Sequence, residues 1–228
     1  MPIEKKKAWL SIIFPAFFVA LLWLVKLIEV TDNRNLWYYG IYPRTISGIA
    51  GIILSPLIHG NINHLLDNSI PLFFLGWAVF YFYNKVSYRV FFIIYFISGL
   101  AVWIFARSSY HIGASGLIYG LGSFLFFSGI IRQNINLLAI SLLVAFLYGS
   151  MVWGIFPYKQ GISWESHLAG GTAGFLLSIL YRKAGPEPSR HVWYEEDEDD
   201  EEDIGDYWKV DEQESMENES RDEKEYNK

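Results

Sequence analysis

The chain has 228 residues, of which 52% are apolar and 18% aromatic, and no cysteine, which excludes disulfides and thiolate chemistry. Its formal charge of −6 averages two unlike parts: the first 186 residues carry 13 Lys and Arg against five acidic residues, and the remainder carries five against 19. A body near +8 that is highly apolar, joined to a tail near −14, excludes an ordinary one- or two-domain soluble protein. In chain order, Lys5, Lys6 and Lys7 precede the apolar run Ala8–Val30, 23 residues long. That run exceeds a usual signal-peptide core and lacks a small-x-small cleavage site, so it is expected to be retained as a first membrane span. Residues 31–63 are rich in Gly, Pro and aromatics (Trp37, Tyr38, Tyr39, Tyr42, Pro43) and are expected to form a structured outer loop at the headgroup level.

Five more windows reach the ~20 apolar residues that a bilayer core requires: about 64–83, 88–106, 113–131, 135–156 and 164–182. The breaks between them are short and polar or turn-forming, at Asn84-Lys85, Arg107-Ser108-Ser109, Arg132-Gln133-Asn134 and Pro157 to Gly161. Six spans place both termini on one side. With that side cytoplasmic, the cytoplasmic segments hold Lys5, Lys6, Lys7, Lys85, Arg89, Arg132, Arg182 and Lys183, and the outer ones hold Arg34, Arg44, Arg107 and Lys159. Eight against four follows the positive-inside bias, with Lys26 inside the first span and not counted. From Pro186 onward, low hydrophobicity and dense negative charge predict a disordered cytoplasmic tail; Trp193, Tyr194, Tyr207 and Trp208 are candidates for a short docking segment, but a plain solvated tail is the favoured reading.

Polar and ionisable groups are costly inside a span, so each is a candidate functional residue. His64 and Asn68 begin the second span, Ser115 the fourth and His167 the sixth, and these three spans all enter from the outer side. A serine in the first turn of a helix is surrounded by unpaired backbone N–H groups at the positive end of the helix dipole, where an oxyanion would be met by donors. A G-x-S-G tetrapeptide on an apolar helix also fits plain small-residue packing. The neutral imidazole of His167 is the candidate base, and Gly170 and Gly174 follow it as Gly116 and Gly120 follow Ser115. Such small-residue faces let two backbones approach, as a hydroxyl-to-imidazole bond of about 2.6–3.2 Å needs. Tyr119 lies four residues after Ser115 on the same face and is placed to stack on His167. His64 and Asn68, at i and i+4, share a face and can both donate hydrogen bonds. They also fit a second role, anchoring a helix end at the interface. His59 is rotated by roughly 140° from His64 on a helical wheel and is expected to support the outer loop instead.

The blocks His59-Gly60-Asn61-Ile62-Asn63-His64-Leu65-Leu66-Asp67-Asn68, Gly113-Ala114-Ser115-Gly116-Leu117-Ile118-Tyr119-Gly120 and His167-Leu168-Ala169-Gly170-Gly171-Thr172-Ala173-Gly174 resemble the three signature blocks of rhomboid proteases, in the same order. The resemblance spans about residues 8–183. It implies an all-α membrane protein, a six-transmembrane-helix rhomboid-like bundle of residues 8–183, flanked by a cytoplasmic N-terminus (1–7) and the acidic tail (184–228). It further implies an intramembrane serine endopeptidase with a Ser115–His167 dyad and no acidic third member. The implied oxyanion site is the Ser115 backbone N–H with His64 and Asn68, supported by Tyr119, Gly113, Gly116 and Gly170. No metal or cofactor is expected. The expected partners are the lipid bilayer and transmembrane protein substrates with small or helix-weakening residues near the outer face, with no nucleic acid. The expected location is the bacterial cytoplasmic (inner) membrane, with both termini cytoplasmic and the site opening outward.

Two positions depart from that pattern. Tyr42-Pro43-Arg44 stands where well-known members carry a Trp-Arg pair, and Asp67 is an acid beside the oxyanion pair. Three other readings compete. A small transporter would continue its polar groups toward the inner side, where these spans are mostly Phe, Leu, Ile and Val. A metal site from His59, His64, His111 and His167 lacks an H-E-x-x-H or comparable in-line spacing. A catalytically inactive rhomboid-like protein that binds membrane clients would usually lack the serine or the histidine, and both are present.

Overall fold

A computed structural model describes residues 3–147, 153–157 and 161–187. The acidic tail beyond Glu187, with its aromatic candidate segment, lies outside the described residues, as do Tyr158, Lys159 and Gln160. The described residues form seven helices: α1 (Ile3–Thr31), α2 (Ile46–Leu54), α3 (Ile62–Phe82), α4 (Ser87–Phe105), α5 (Ser115–Arg132), α6 (Ile135–Leu147) and α7 (Trp164–Leu180). Among these residues there is no strand beyond one antiparallel bridge between Ile41 and His111. Stretches of α1, α3, α4 and α5 (Glu4–Thr31, Ile62–Phe82, Ser87–Phe105 and Ser115–Arg132) are long and apolar enough to cross a membrane. Helices also occupy the last two expected windows, but α6 and α7 have 13 and 17 residues. At 1.5 Å per residue the described part of α6 and the whole of α7 measure about 20 and 26 Å, against ~30 Å for a hydrocarbon core.

Local chemistry accounts for the helix ends nearest the later argument. Asn61 caps α3, its Oδ1 accepting the His64 N–H at 2.8 Å, and Thr45 caps α2 by accepting from Gly48 at 3.1 Å. Gln133 ends α5 in the left-handed conformation, its N–H turned back to Gly129 and Ile130. The 31–63 segment is structured, since it contains α2 and two 3-10 turns, Trp37–Tyr39 and Ser55–Leu57. Arg44 takes a positive φ of 59° and sends its guanidinium to the carbonyls of Ile104 (3.2 Å) and Ala106 (2.9 Å). It thus closes the C-terminal end of α4, whose last carbonyls have no helical partner.

The helix α5 is central and packs against α3, α4, α6 and α7, while α1 packs along α3. Its buried face (Leu117, Leu121, Phe124, Leu125) meets Leu72 and Leu75 of α3, Val90 and Ile94 of α4, and Leu177 of α7 in one core. Two tryptophans tie α1 to α3, Trp23 donating to Ser69 (3.1 Å) and Trp77 to Ser11 (3.0 Å), beside a close approach of Gly76 to Pro15. Large apolar side chains also face outward: Trp9, Phe17, Phe105 and Phe146 are 65, 62, 81 and 83% exposed. Water-soluble monomers rarely leave such a surface uncovered.

Candidate active site

The starts of α3, α5 and α7 lie at one end of the bundle, and their polar residues meet there. Small residues make the meeting possible. A Cβ added at Gly170 would overlap the Gly116 carbonyl, and one at Gly174 would overlap that of Gly120. A side chain at Gly116 would strike Ser166. The backbones of α5 and α7 are therefore in direct contact along both G-x-x-x-G pairs. This contact brings His167 Nε2 to 2.7 Å from Ser115 Oγ.

His167 is buried, and its other ring nitrogen lies 2.8 Å from the Gly154 carbonyl. A carbonyl only accepts, so Nδ1 carries the proton and Nε2 is left to accept from the serine hydroxyl. Tyr119 stacks on the imidazole, with centroids 4.1 Å apart and planes 6° from parallel. Gly154 is packed so tightly over this pair that a Cβ there would overlap the Tyr119 hydroxyl. The ring is thus held on one face, at one nitrogen and at the other.

Ser115 is the first residue of α5, after Ala114 at the N-cap position. The two preceding residues are held from α3 and its approach. Gly113 has φ +104°, a conformation open to glycine, and donates its N–H to Ser55 O at 2.8 Å. The His64 ring lies directly over it, 2.9 Å from where a Cβ would stand. His64 thereby reaches the turn that presents Ser115. Asn68 is buried; its amide nitrogen donates to the His64 carbonyl at 2.7 Å, and its Oδ1 has no partner. The second Nδ2 proton leaves Asn68 with further donor capacity. Asp67 lies on the exposed side of α3.

His59 departs from the helical-wheel expectation because α3 begins only at Ile62. Its ring sits 5.0 Å from that of His64, edge to face, and its Nε2 accepts the Ala114 N–H at 3.4 Å. Burial pushes its pKa down to about 3, with the neighbouring His64 adding to the shift, so it is neutral and can accept. A second cluster braces the loop before Ser115 to the start of α7. Arg107 binds Glu165 (3.3 Å) and the Ile162 carbonyl (2.6 Å), and His111 bridges Ser163 Oγ (2.6 Å) and the Arg107 carbonyl (3.1 Å). Burial lowers the His111 pKa as well. Among the described residues, no three His, Asp or Glu side chains gather as a metal site would require.

The sequence pattern carried no sign of the Gly154 carbonyl or of the His59–Ala114 bond. The Arg107–Glu165 brace had a signal, in two opposite charges, one just after the third expected span and one near the start of the sixth.

Comparison with known proteins adds a family. The model described as the rhomboid domain matches residues 47–184. An uncharacterized protein of Mycobacterium tuberculosis is 37% identical over 180 residues, covering 73% of this chain and 75% of that protein. An uncharacterized protein of Mycobacterium leprae is 34% identical over 180 residues, covering 73% and 71%. A protein of Arabidopsis thaliana named RHOMBOID-like protein 4 is 30% identical over 131 residues, 54% of this chain and 32% of its own length.

Proposed function

The chain belongs to the rhomboid family and is a multi-pass membrane protein, and from that premise we propose that it is an intramembrane serine endopeptidase acting through Ser115 and His167. The observation that carries this reading is the 2.7 Å contact of Ser115 Oγ with an imidazole nitrogen whose opposite nitrogen is committed to a carbonyl. A serine hydroxyl is a weak nucleophile until a base accepts its proton, and this arrangement supplies a base in the accepting tautomer. The Gly154 carbonyl takes the orienting position that a carboxylate holds in a three-membered triad.

Ser115 Oγ attacks the scissile carbonyl carbon as its proton passes to His167 Nε2. The carbonyl oxygen becomes an oxyanion, met by the Ser115 backbone N–H, the His64 ring and the Asn68 amide. His167 then donates the proton to the leaving amine, the C–N bond breaks, and an ester to Ser115 remains. Water, deprotonated by His167, attacks that ester, releases the carboxylic acid product and restores the serine. Tyr119 keeps the imidazole plane fixed throughout, and Gly113, Gly116 and Gly170 permit the close approaches.

The substrates in this reading are transmembrane segments of other membrane proteins, cut where small or helix-weakening residues lie near the outer face. The protease domain is residues 8–183, with six spans that include the shorter α6 and α7, and 31–63 is its outer loop. Both termini, including the 184–228 tail, are cytoplasmic, and the site opens outward from a bacterial inner membrane. Purified protein in detergent is expected to label with a fluorophosphonate and to cleave a model transmembrane substrate. Ser115→Ala is expected to abolish both. Cleavage surviving in that variant would remove the dyad assignment.

A further inference from the structure

Within the Ala8–Val30 run of α1, otherwise free of charged residues, stand Lys26 and Glu29, joined at 2.7 Å with side chains only 12% exposed each. Charged groups at that position are expensive, and a pair needed for α1 alone would be cheaper as two apolar residues. Both members, however, reach beyond their helix. Lys26 Nζ donates to the carbonyl of His59 at 3.0 Å, and the second Glu29 oxygen accepts the Leu36 N–H at 3.1 Å. The pair therefore pins the 32–61 connection to α1 near both of its ends.

His59 is where this matters. It is 1% exposed, its backbone is held by Lys26, and its ring accepts the N–H of Ala114, the residue immediately before Ser115. At 3.4 Å that bond is already long, so a small displacement of His59 breaks it. The same ring packs edge-on against His64, which lies over Gly113. A continuous set of contacts thus runs from Lys26 through His59 to the turn that presents the nucleophile and to one of the proposed oxyanion donors.

We propose that Lys26, held by Glu29, is a positioning residue for the Ser115 turn and acts through His59; this rests on the protease reading. Lys26 touches no reacting atom in that scheme. Its removal frees the His59 backbone, the Ala114 N–H loses its acceptor, and Ser115 drifts from its bond to His167. A misplacement of about 1 Å costs on the order of a hundredfold in rate.

The test measures cleavage of a transmembrane substrate in detergent, with rates expressed per site titrated to completion with fluorophosphonate, so that misfolded protein is not counted. Lys26→Met is expected to lower kcat by about tenfold or more with KM within about twofold. Lys26→Arg, which keeps both a charge and a donor, is expected to recover most of the loss. Glu29→Gln, the second variant should Lys26→Met fail to fold, is expected to lower kcat without raising KM. In a His59→Ala background, Lys26→Met is expected to add nothing, because the route through the ring is already cut. Wild-type kcat per site in Lys26→Met, or fully additive losses with His59→Ala, would overturn the proposal while leaving the protease reading in place. Cleavage by Ser115→Ala would instead remove that reading itself.

Discussion

Buried histidines at this end of the bundle have separate duties, set by what each nitrogen touches. His167 faces a hydroxyl on one side and a carbonyl on the other. His59 accepts a backbone N–H through Nε2, so its proton sits on Nδ1, and a second proton would set an N–H against that of Ala114 in the interior. His111, outside the helices, lies between a serine hydroxyl and a carbonyl. In the unfolded chain both His59 and His111 titrate at about 6.5, whereas burial holds His59 to about 3 and lowers His111. Below about pH 6.5 the unfolded chain therefore binds more protons than the folded one, and stability declines as pH falls toward 3; above 6.5 this term vanishes. The thermal midpoint in detergent is expected to be lower at pH 5 than at pH 7.5, and the drop should shrink in His59→Gln. Equal midpoints at the two pH values would mean that both imidazoles charge within the fold.

Helix α7 meets α5 through glycine against backbone, and the two adjacent glycines Gly170 and Gly171 are in opposite situations. A methyl group at Gly170 would overlap Gly116 O, whereas one at Gly171 would meet nothing within 4 Å. Gly170→Ala must therefore push α7 away from α5 and lengthen the Ser115–His167 contact. It is expected to lower activity by about a hundredfold, with destabilisation of roughly 1–3 kcal/mol from overpacking. Gly171→Ala is expected to stay within about twofold of wild type, because it adds helix propensity and disturbs no contact. Equal loss in both variants would show that general helix perturbation, rather than the α5–α7 crossing, sets the rate. The motif pattern marked Gly170 and Gly174 at the right spacing, but a spacing is silent on which of two neighbouring glycines faces the partner helix.

Among the described residues, the charged groups and the proposed site lie toward the ends of the bundle. One end carries the serine, the histidines and the Arg107–Glu165 brace. At the other, the Arg132 guanidinium gathers the carbonyls of Arg182, Gly185 and Pro186, tying the chain after α7 to the end of α5. Between them the bundle shows apolar side chains to its surroundings, as a bilayer requires. Taken with the eight-to-four excess of Lys and Arg, this partition sets the expected orientation. A reporter fused after Lys228 should read as cytoplasmic, and an external reading would overturn both the span count and the outward-facing site.

Hydropathy located the six long apolar runs in which α1 and α3 to α7 lie, because burial in lipid is a property of a short stretch of chain. It also located Ser115, His64, Asn68 and His167 at the starts of alternate apolar runs, where a polar residue stands out against its neighbours. The long 31–63 connection was legible as structured but not as helical, since the nine residues of Ile46–Leu54 are too few to stand out as a span and are held by contacts with Gly40, Tyr42 and α4. The Ser115–His167 pairing was expected from the sequence, but the bonds that hold it in place were not legible. The Gly154 carbonyl on Nδ1, the left-handed turn at Gly113 under His64 and the reach of Lys26 to His59 each join separate segments of the chain. A hydrogen bond is sensitive to a few tenths of an ångström, and that precision comes from how helices and loops pack together, which no local pattern encodes.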